Sequence, residues 1–183
     1  CEGDTCDYVI TQAEIFNSKV SEMLDVPESK MVALGHPRTD VLNHEGDTKK
    51  KLNISHNEKI IVWMPTFRKN GSSGITYCDV KRMGVPLLES ERCFNRINSV
   101  LKENGVVLVI KLHPAEDVSQ MILKNYSNIL FLSDKELKEK NIVLYQMLAD
   151  SDALITDYSS VYYDYLLVNR PIGLIIDDIE EFE

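Results

Sequence analysis

Three short stretches each carry residues suited to gripping an anion: MPTFRKN (64–70), KLHP (111–114) and TDYSS (156–160). Between them they supply Thr66, Arg68, Lys69, Lys111, His113, Thr156, Asp157, Ser159 and Ser160. Fixed cations, one imidazole and several hydroxyls make a plausible phosphate site. The rest of the chain argues against a diffuse anion-binding surface. With Lys+Arg at 20 against Asp+Glu at 29, the formal net charge is -9, which excludes a nucleic-acid coat or an overall membrane-adhering face. An anionic ligand must therefore be held in a local pocket.

The adjacent serines pose the sharpest question. The first N–H groups of a helix lack intrahelical acceptors, and the helix dipole adds partial positive charge there. Ser159 and Ser160 at such a start supply two further donors and build an anion cradle without a glycine-rich loop. The plainer reading is that Asp157 or Ser159 caps the helix, worth about 1 kcal/mol. His113 divides in the same way. A His-Pro pair after a strand makes a rigid turn, yet a turn needs no imidazole. Beside a diphosphate, a protonated His113 neutralises charge building on the leaving oxygen, as a general acid does.

Other candidates carry less. Gly35 and Pro37 of GHPRTDVL (35–42) make a turn in which Asp40 either pairs with Arg38 or caps a helix after it, a hinge latch. His36, His44 and His56 have no metal-ligand spacing, and the carboxylates of DDIEEFE (177–183) read as a solvated face, so no metal site and no cofactor is expected. Cys1, Cys6, Cys78 and Cys93 form no C-x-x-C pair and read as reduced thiols of a cytosolic protein. No apolar run approaches the roughly 18–20 residues of a membrane span. The sequence has no initial Met and stops within the pattern IIDDIEEFE, which reads as a piece of a longer protein.

The elements that must position these residues follow from periodicity. DYVIT (7–11) and KMVALG (30–35) read as short strands flanking a helix over 12–24. A polar connection comes next, then apolar strands at 59–65, 106–114, 128–132, 153–156 and 172–176. Helices are expected at 87–104, 117–125, 141–151 and 159–168. Near-continuous apolar strands separated by helices are what a parallel sheet covered on both faces requires. The reading is an α/β, doubly wound, Rossmann-like parallel sheet. In such a sheet ligands bind at the carboxyl ends of the strands, and that rule turns the three stretches into one cluster.

Taken in order, GHPRTDVL, WMPTFR, KLHP and ITDYSSVYYDYLLVNRPI resemble the CDP-glycerol glycerophosphotransferases, the teichoic acid polymerase family of bacterial cell-wall synthesis. The resemblance implies the C-terminal half of a GT-B type two-domain fold. It places residues 1–35 at the end of an N-terminal Rossmann-like domain, 36–57 as an interdomain linker, and 58–183 as an incomplete nucleotide-binding domain. It implies transfer of glycerol phosphate from CDP-glycerol, or ribitol phosphate from CDP-ribitol, to a polyol-phosphate polymer or glycan acceptor, with release of CMP. His113 would be the catalytic or charge-stabilising histidine. Ser159, Ser160, Thr66 and Arg68 would line the diphosphate pocket, to which the strand-end rule adds Lys111, Thr156 and Asp157, with Pro37, Arg38 and Asp40 at the interdomain crossover. A second family histidine, in a WHG-type motif, has no counterpart in these residues. The whole protein is expected in the cytoplasm, peripheral to the inner face of the plasma membrane through parts outside this stretch. A UDP-sugar glycosyltransferase or epimerase of the same architecture, and a non-catalytic nucleotide-binding module, are the alternatives.

Overall fold

The structure, a computed structural model, describes residues 6–44, 46–66, 90–111 and 125–176. The chain divides into two compact units, Cys1–Asn43 and His44–Glu183.

In the first unit, strand β1 (Val9–Thr11), helix α1 (Asn17–Leu24) and strand β2 (Met31–Ala33) form a strand–helix–strand. β1 and β2 pair in parallel. The chain then turns through Gly35, whose φ of 75° is a conformation glycine adopts without strain. A 3₁₀ helix spans Pro37–Asn43, with Pro37, Arg38 and Asp40 on its exposed positions.

The second unit begins with a short helix α2 (Thr48–Lys51) and then alternates strand and helix. Its strands are β3 (Lys59–Met64), β4 (Val106–Lys111), β5 (Ile129–Leu132), β6 (Ala153–Thr156) and β7 (Ile172–Leu174). Among the described residues they form one sheet, β5-β4-β3-β6-β7, in which every neighbour pairs in parallel. Ile60, Val62, Val109, Ile110 and Leu154 are all 0% exposed, as expected of strands covered on both faces. The chain therefore has the Rossmann-like architecture that its apolar runs predict.

The helices are α3 (Glu91–Glu103), α4 (Asp134–Glu139), α5 (Leu144–Asp150) and α6 (Val161–Tyr165). Helix α3 starts where Ser90 accepts from the Cys93 amide, and it stops at Asn104 before Gly105 at φ 61°. Its Cys93, Phe94, Ile97 and Leu101 lie on one face against Trp63, Leu108, Ile110 and Ile129. The helix expected over 159–168 is shorter than its pattern: α6 ends at Tyr165 and tightens into a 3₁₀ turn, Leu166–Val168. Asn169 in the left-handed conformation then releases the chain towards β7.

A polar knot ties α6 to the residues that close α5. Tyr165, 0% exposed, shares a 2.9 Å hydrogen bond with the Ser151 hydroxyl and donates to the Ser151 carbonyl at 3.3 Å. Arg170 donates to the Ala149 carbonyl at 2.7 Å and also to the Ser151 carbonyl, satisfying groups left over where α5 ends. Burial raises the Tyr165 pKa above its ordinary 10.0, although the Ser151 hydroxyl and the Arg170 charge act the other way. The folded state then holds this proton more tightly than the unfolded chain. Its contribution is fully present below about pH 10 and is lost as pH rises through the raised value. Chemical denaturation across pH 9–11.5 should show stability falling from about pH 10 upward, with a shallower fall in Tyr165→Phe.

Candidate functional site

The order β4-β3-β6 puts the three loop-bearing strands side by side, with their carboxyl ends at one edge. From β3 the chain leads on to β4 on one side; from β6 it leads to β7 on the other. The gap between β3 and β6 is thus the switch point of the sheet, where open α/β folds bind ligands.

At that point the structure brings Thr66 and Asp157 together. The Thr66 amide donates to both oxygens of the Asp157 carboxylate, at 2.8 and 3.0 Å, and the Thr66 hydroxyl donates to it as well. Asp157 is 6% exposed. Thr156, fully buried, turns its hydroxyl to the Met64 carbonyl at 3.0 Å. Asp157 thus holds the residues that follow the neighbouring strand β3.

The serine pair separates into two environments. Ser159 is half-buried, and its hydroxyl accepts from the Val161 amide at 3.4 Å. Ser160, the residue before α6, is exposed and its side chain makes no capping bond. The amides of Tyr162 and Tyr163 are spent on the carbonyls of Ser159 and Ser160, both at 3.1 Å. Helix α6 is only five residues long. Its dipole is correspondingly small, so donors at this turn come more from Ser159 and Ser160 than from helix amides. The turn is well held from behind: buried Asp164 on α6 accepts from the Tyr145 hydroxyl at 2.5 Å.

Lys111, at the end of β4, is buried at 5% exposure and its ammonium lies 2.8 Å from Asp134. Asp134 opens α4, a helix too short for apolar periodicity to announce, although its start is written in the residues. Ser133 and Glu136 form a reciprocal capping box, with the Ser133 hydroxyl bonded to the Glu136 amide and the Glu136 carboxylate to the Ser133 amide. Lys111 therefore joins β4 to α4 as well as lying beside the loop edge. His113 and Arg68 lie outside the described residues, as do Lys69 and the DDIEEFE carboxylates. Among the described residues no group of His, Cys, Asp or Glu is placed to hold a metal, and no helix is long and apolar enough to cross a membrane.

Residues 2–183 match the family model of CDP-glycerol:poly(glycerophosphate) glycerophosphotransferases. Relatives include a teichoic acid glycerol-phosphate primase of Bacillus subtilis, 29% identical over 97% of this chain and 41% of that protein. The teichoic acid ribitol-phosphate polymerase TarL of Staphylococcus aureus is 28% identical over 96% of this chain and 29% of that protein. The solved wall teichoic acid polymerase TagF superposes with a TM-score of 0.74 at 23% identity, over 100% of this chain and 42% of that one. A variant of it soaked with CDPG superposes at 0.72 and 24% identity, over 99% and 40%. The chain thus spans well under half of these relatives and has the fold of the corresponding part of a GT-B type enzyme. With nearly every residue inside the family model, the chain belongs to the CDP-glycerol:poly(glycerophosphate) glycerophosphotransferase family.

Proposed function

We propose that this chain is the donor-binding part of a transferase that moves glycerol phosphate from CDP-glycerol to a polyol-phosphate or glycan acceptor and releases CMP. The observation that supports this most is the Ser159–Ser160 turn at the sheet's switch point, in a chain that matches the family along its length. The hydroxyls and amides of Ser159 and Ser160 meet the donor diphosphate, and Arg68 adds positive charge. His113 steadies the negative charge that collects on the CMP phosphate as its bond to the transferred phosphorus breaks. Lys111 and Thr156 shape the pocket floor. Pro37, Arg38 and Asp40 form the crossover into the donor domain, within a boundary scheme of 1–35, 36–57 and 58–183. The intact protein works in the cytoplasm against the inner face of the plasma membrane.

A ribitol phosphate donor is the second reading, favoured by the relatives named as ribitol-phosphate enzymes. The diphosphate grip is the same for either polyol.

Titration calorimetry tests the proposal. CDP and CDP-glycerol should bind this chain at least about tenfold more tightly than UDP or UDP-GlcNAc; tighter UDP binding would overturn it in favour of a sugar transferase. Ser160→Ala should weaken CDP about tenfold, as loss of a hydrogen bond to a charged group does. It should leave the unfolding midpoint almost unmoved, because the exposed Ser160 side chain caps nothing. A destabilised fold with unchanged CDP affinity would instead identify the serine as a structural cap.

A further inference from the structure

We infer that Asp157 is a positioning residue, not a ligand to the donor: its carboxylate clamps the loop after β3 to the loop after β6 and sets where Ser159 and Ser160 stand. This deepens the donor-site proposal and rests on it for the identity of the ligand.

The backbone ladder between β3 and β6 has its last paired residues at Met64 and Thr156. The next residue on β3 is Pro65, which has no N–H to give. The first donor past the ladder is therefore Thr66, and its amide goes to the Asp157 side chain across a separation of 91 residues. The Thr66 hydroxyl reinforces it. On the neighbouring residue the Thr156 hydroxyl returns the bond by donating to Met64. Two strands whose chains depart towards opposite sides of the sheet are thus stitched together by side chains just beyond the point where backbone pairing stops. Among the described residues the β3–β6 pairing stops at Met64 and Thr156, so beyond it the contact rests on side chains. Ser159 lies only two residues beyond Asp157, so its position relative to Thr66 follows from this contact.

The charge argues the same way. A bare carboxylate at the mouth of a diphosphate pocket repels its ligand. Here Asp157 is buried and accepts from both the amide and the hydroxyl of Thr66, which draw its charge inward. Asparagine keeps part of this pattern: its carbonyl oxygen accepts from the Thr66 amide, and its NH2, which cannot accept as the second carboxylate oxygen does, donates to the Thr66 hydroxyl oxygen with that bond reversed. A carboxylate needed for a cation or a proton cannot be replaced in that way.

The test compares Asp157→Ala, Asp157→Asn and Thr66→Val in this chain by CDP calorimetry and by amide resonances and exchange without nucleotide. Asp157→Ala should weaken CDP about tenfold, Thr66→Val, which loses only the hydroxyl bond, by less, and Asp157→Asn should stay within about threefold of the parent. The Thr66 amide should exchange slowly in the parent and in Asp157→Asn but rapidly in Asp157→Ala, with the Ser159 and Ser160 resonances shifted. An asparagine variant as weak as the alanine variant overturns the proposal, as does an alanine variant that binds like the parent. If Asp157→Ala does not fold, Thr66→Val, which keeps the amide bonds and loses the hydroxyl's, carries a smaller form of the comparison: CDP affinity and Thr66 amide exchange both like the parent's overturn the proposal. If the parent binds no CDP, the donor proposal fails, and the exchange and resonance measurements still decide whether the carboxylate positions the serine turn.

Discussion

Phe94→Ala is expected to lower the unfolding free energy by about 3–5 kcal/mol, the usual cost of emptying a ring-sized space in a core. That is a large share of the roughly 5–15 kcal/mol a domain has. Phe94 is 1% exposed. Its ring stacks on Tyr126 with centroids 5.6 Å apart and tilts against Phe131 at 5.9 Å. Beneath it lie Trp63, Leu108, Ile110 and Ile129, from β3, β4 and β5. One side chain therefore pins α3 to the strands whose ends bear Thr66 and Lys111. Trp63, the sole tryptophan of the chain, belongs to this cluster, so its fluorescence reports the unit directly. Urea titration followed at Trp63 should show the midpoint falling steeply in Phe94→Ala. Phe94→Leu, which refills much of the space, should lose about 1–1.5 kcal/mol. A loss below about 1 kcal/mol for the alanine variant would mean that α3 does not cover the sheet in this way.

The sheet is legible in the sequence because buried parallel strands write themselves as apolar runs. KIIVWM, VVLVIK and ALIT need no partner's identity to be recognised. Helix α3 is legible for the same reason, since Phe94, Ile97 and Leu101 repeat at helical spacing. Polar residues are harder to place, because the chemistry of a carboxylate does not say which donor it will meet. Asp157 has the sequence context of a helix cap or a ligand group, and its contacts are with Thr66, 91 residues away. Lys111 has that of an open cation, and it meets Asp134 on a helix that apolar periodicity does not reveal. There a signal exists all the same: Ser133 followed three residues later by Glu136, directly after an apolar strand, is a capping box. The shortness of α6 has no comparable signal. Apolar and aromatic residues continue to Val168 at helical spacing, and the tightening at Leu166 is local geometry that periodicity does not encode. His113 and Arg68 rest on their motifs and on the strand-end rule, since both fall outside the described residues.

The second large effect is expected at Asp150, which belongs to none of the motifs. Asp150 ends α5, where the helix dipole disfavours an anion. Its carboxylate is nevertheless held by two backbone donors, Gly46 at 2.7 Å and Thr48 at 3.0 Å, the latter at the start of α2, where the dipole favours negative charge. Gln146, one turn earlier, donates to the His44 carbonyl at 2.5 Å. The beginning of the second unit is in this way latched to the helix that feeds β6 and its serine turn. Asp150→Ala removes two charge-assisted bonds and relieves one unfavourable dipole contact, so the net loss should be about 2–3 kcal/mol. Asp150→Asn, keeping one acceptor, should lose about half of that. Exchange at the Gly46 and Thr48 amides should quicken in step. Gly46 supplies an independent check on the geometry. A Cβ there would collide with the Gln146 side chain and come within 2.5 Å of the Asp150 carboxylate. Gly46→Ala should therefore be costly in the parent and clearly less so beside Asp150→Ala, because part of the clash has gone. Residues that touch are not additive; a Gly46→Ala cost within about 0.5 kcal/mol in the parent would show that the segment does not lie against α5.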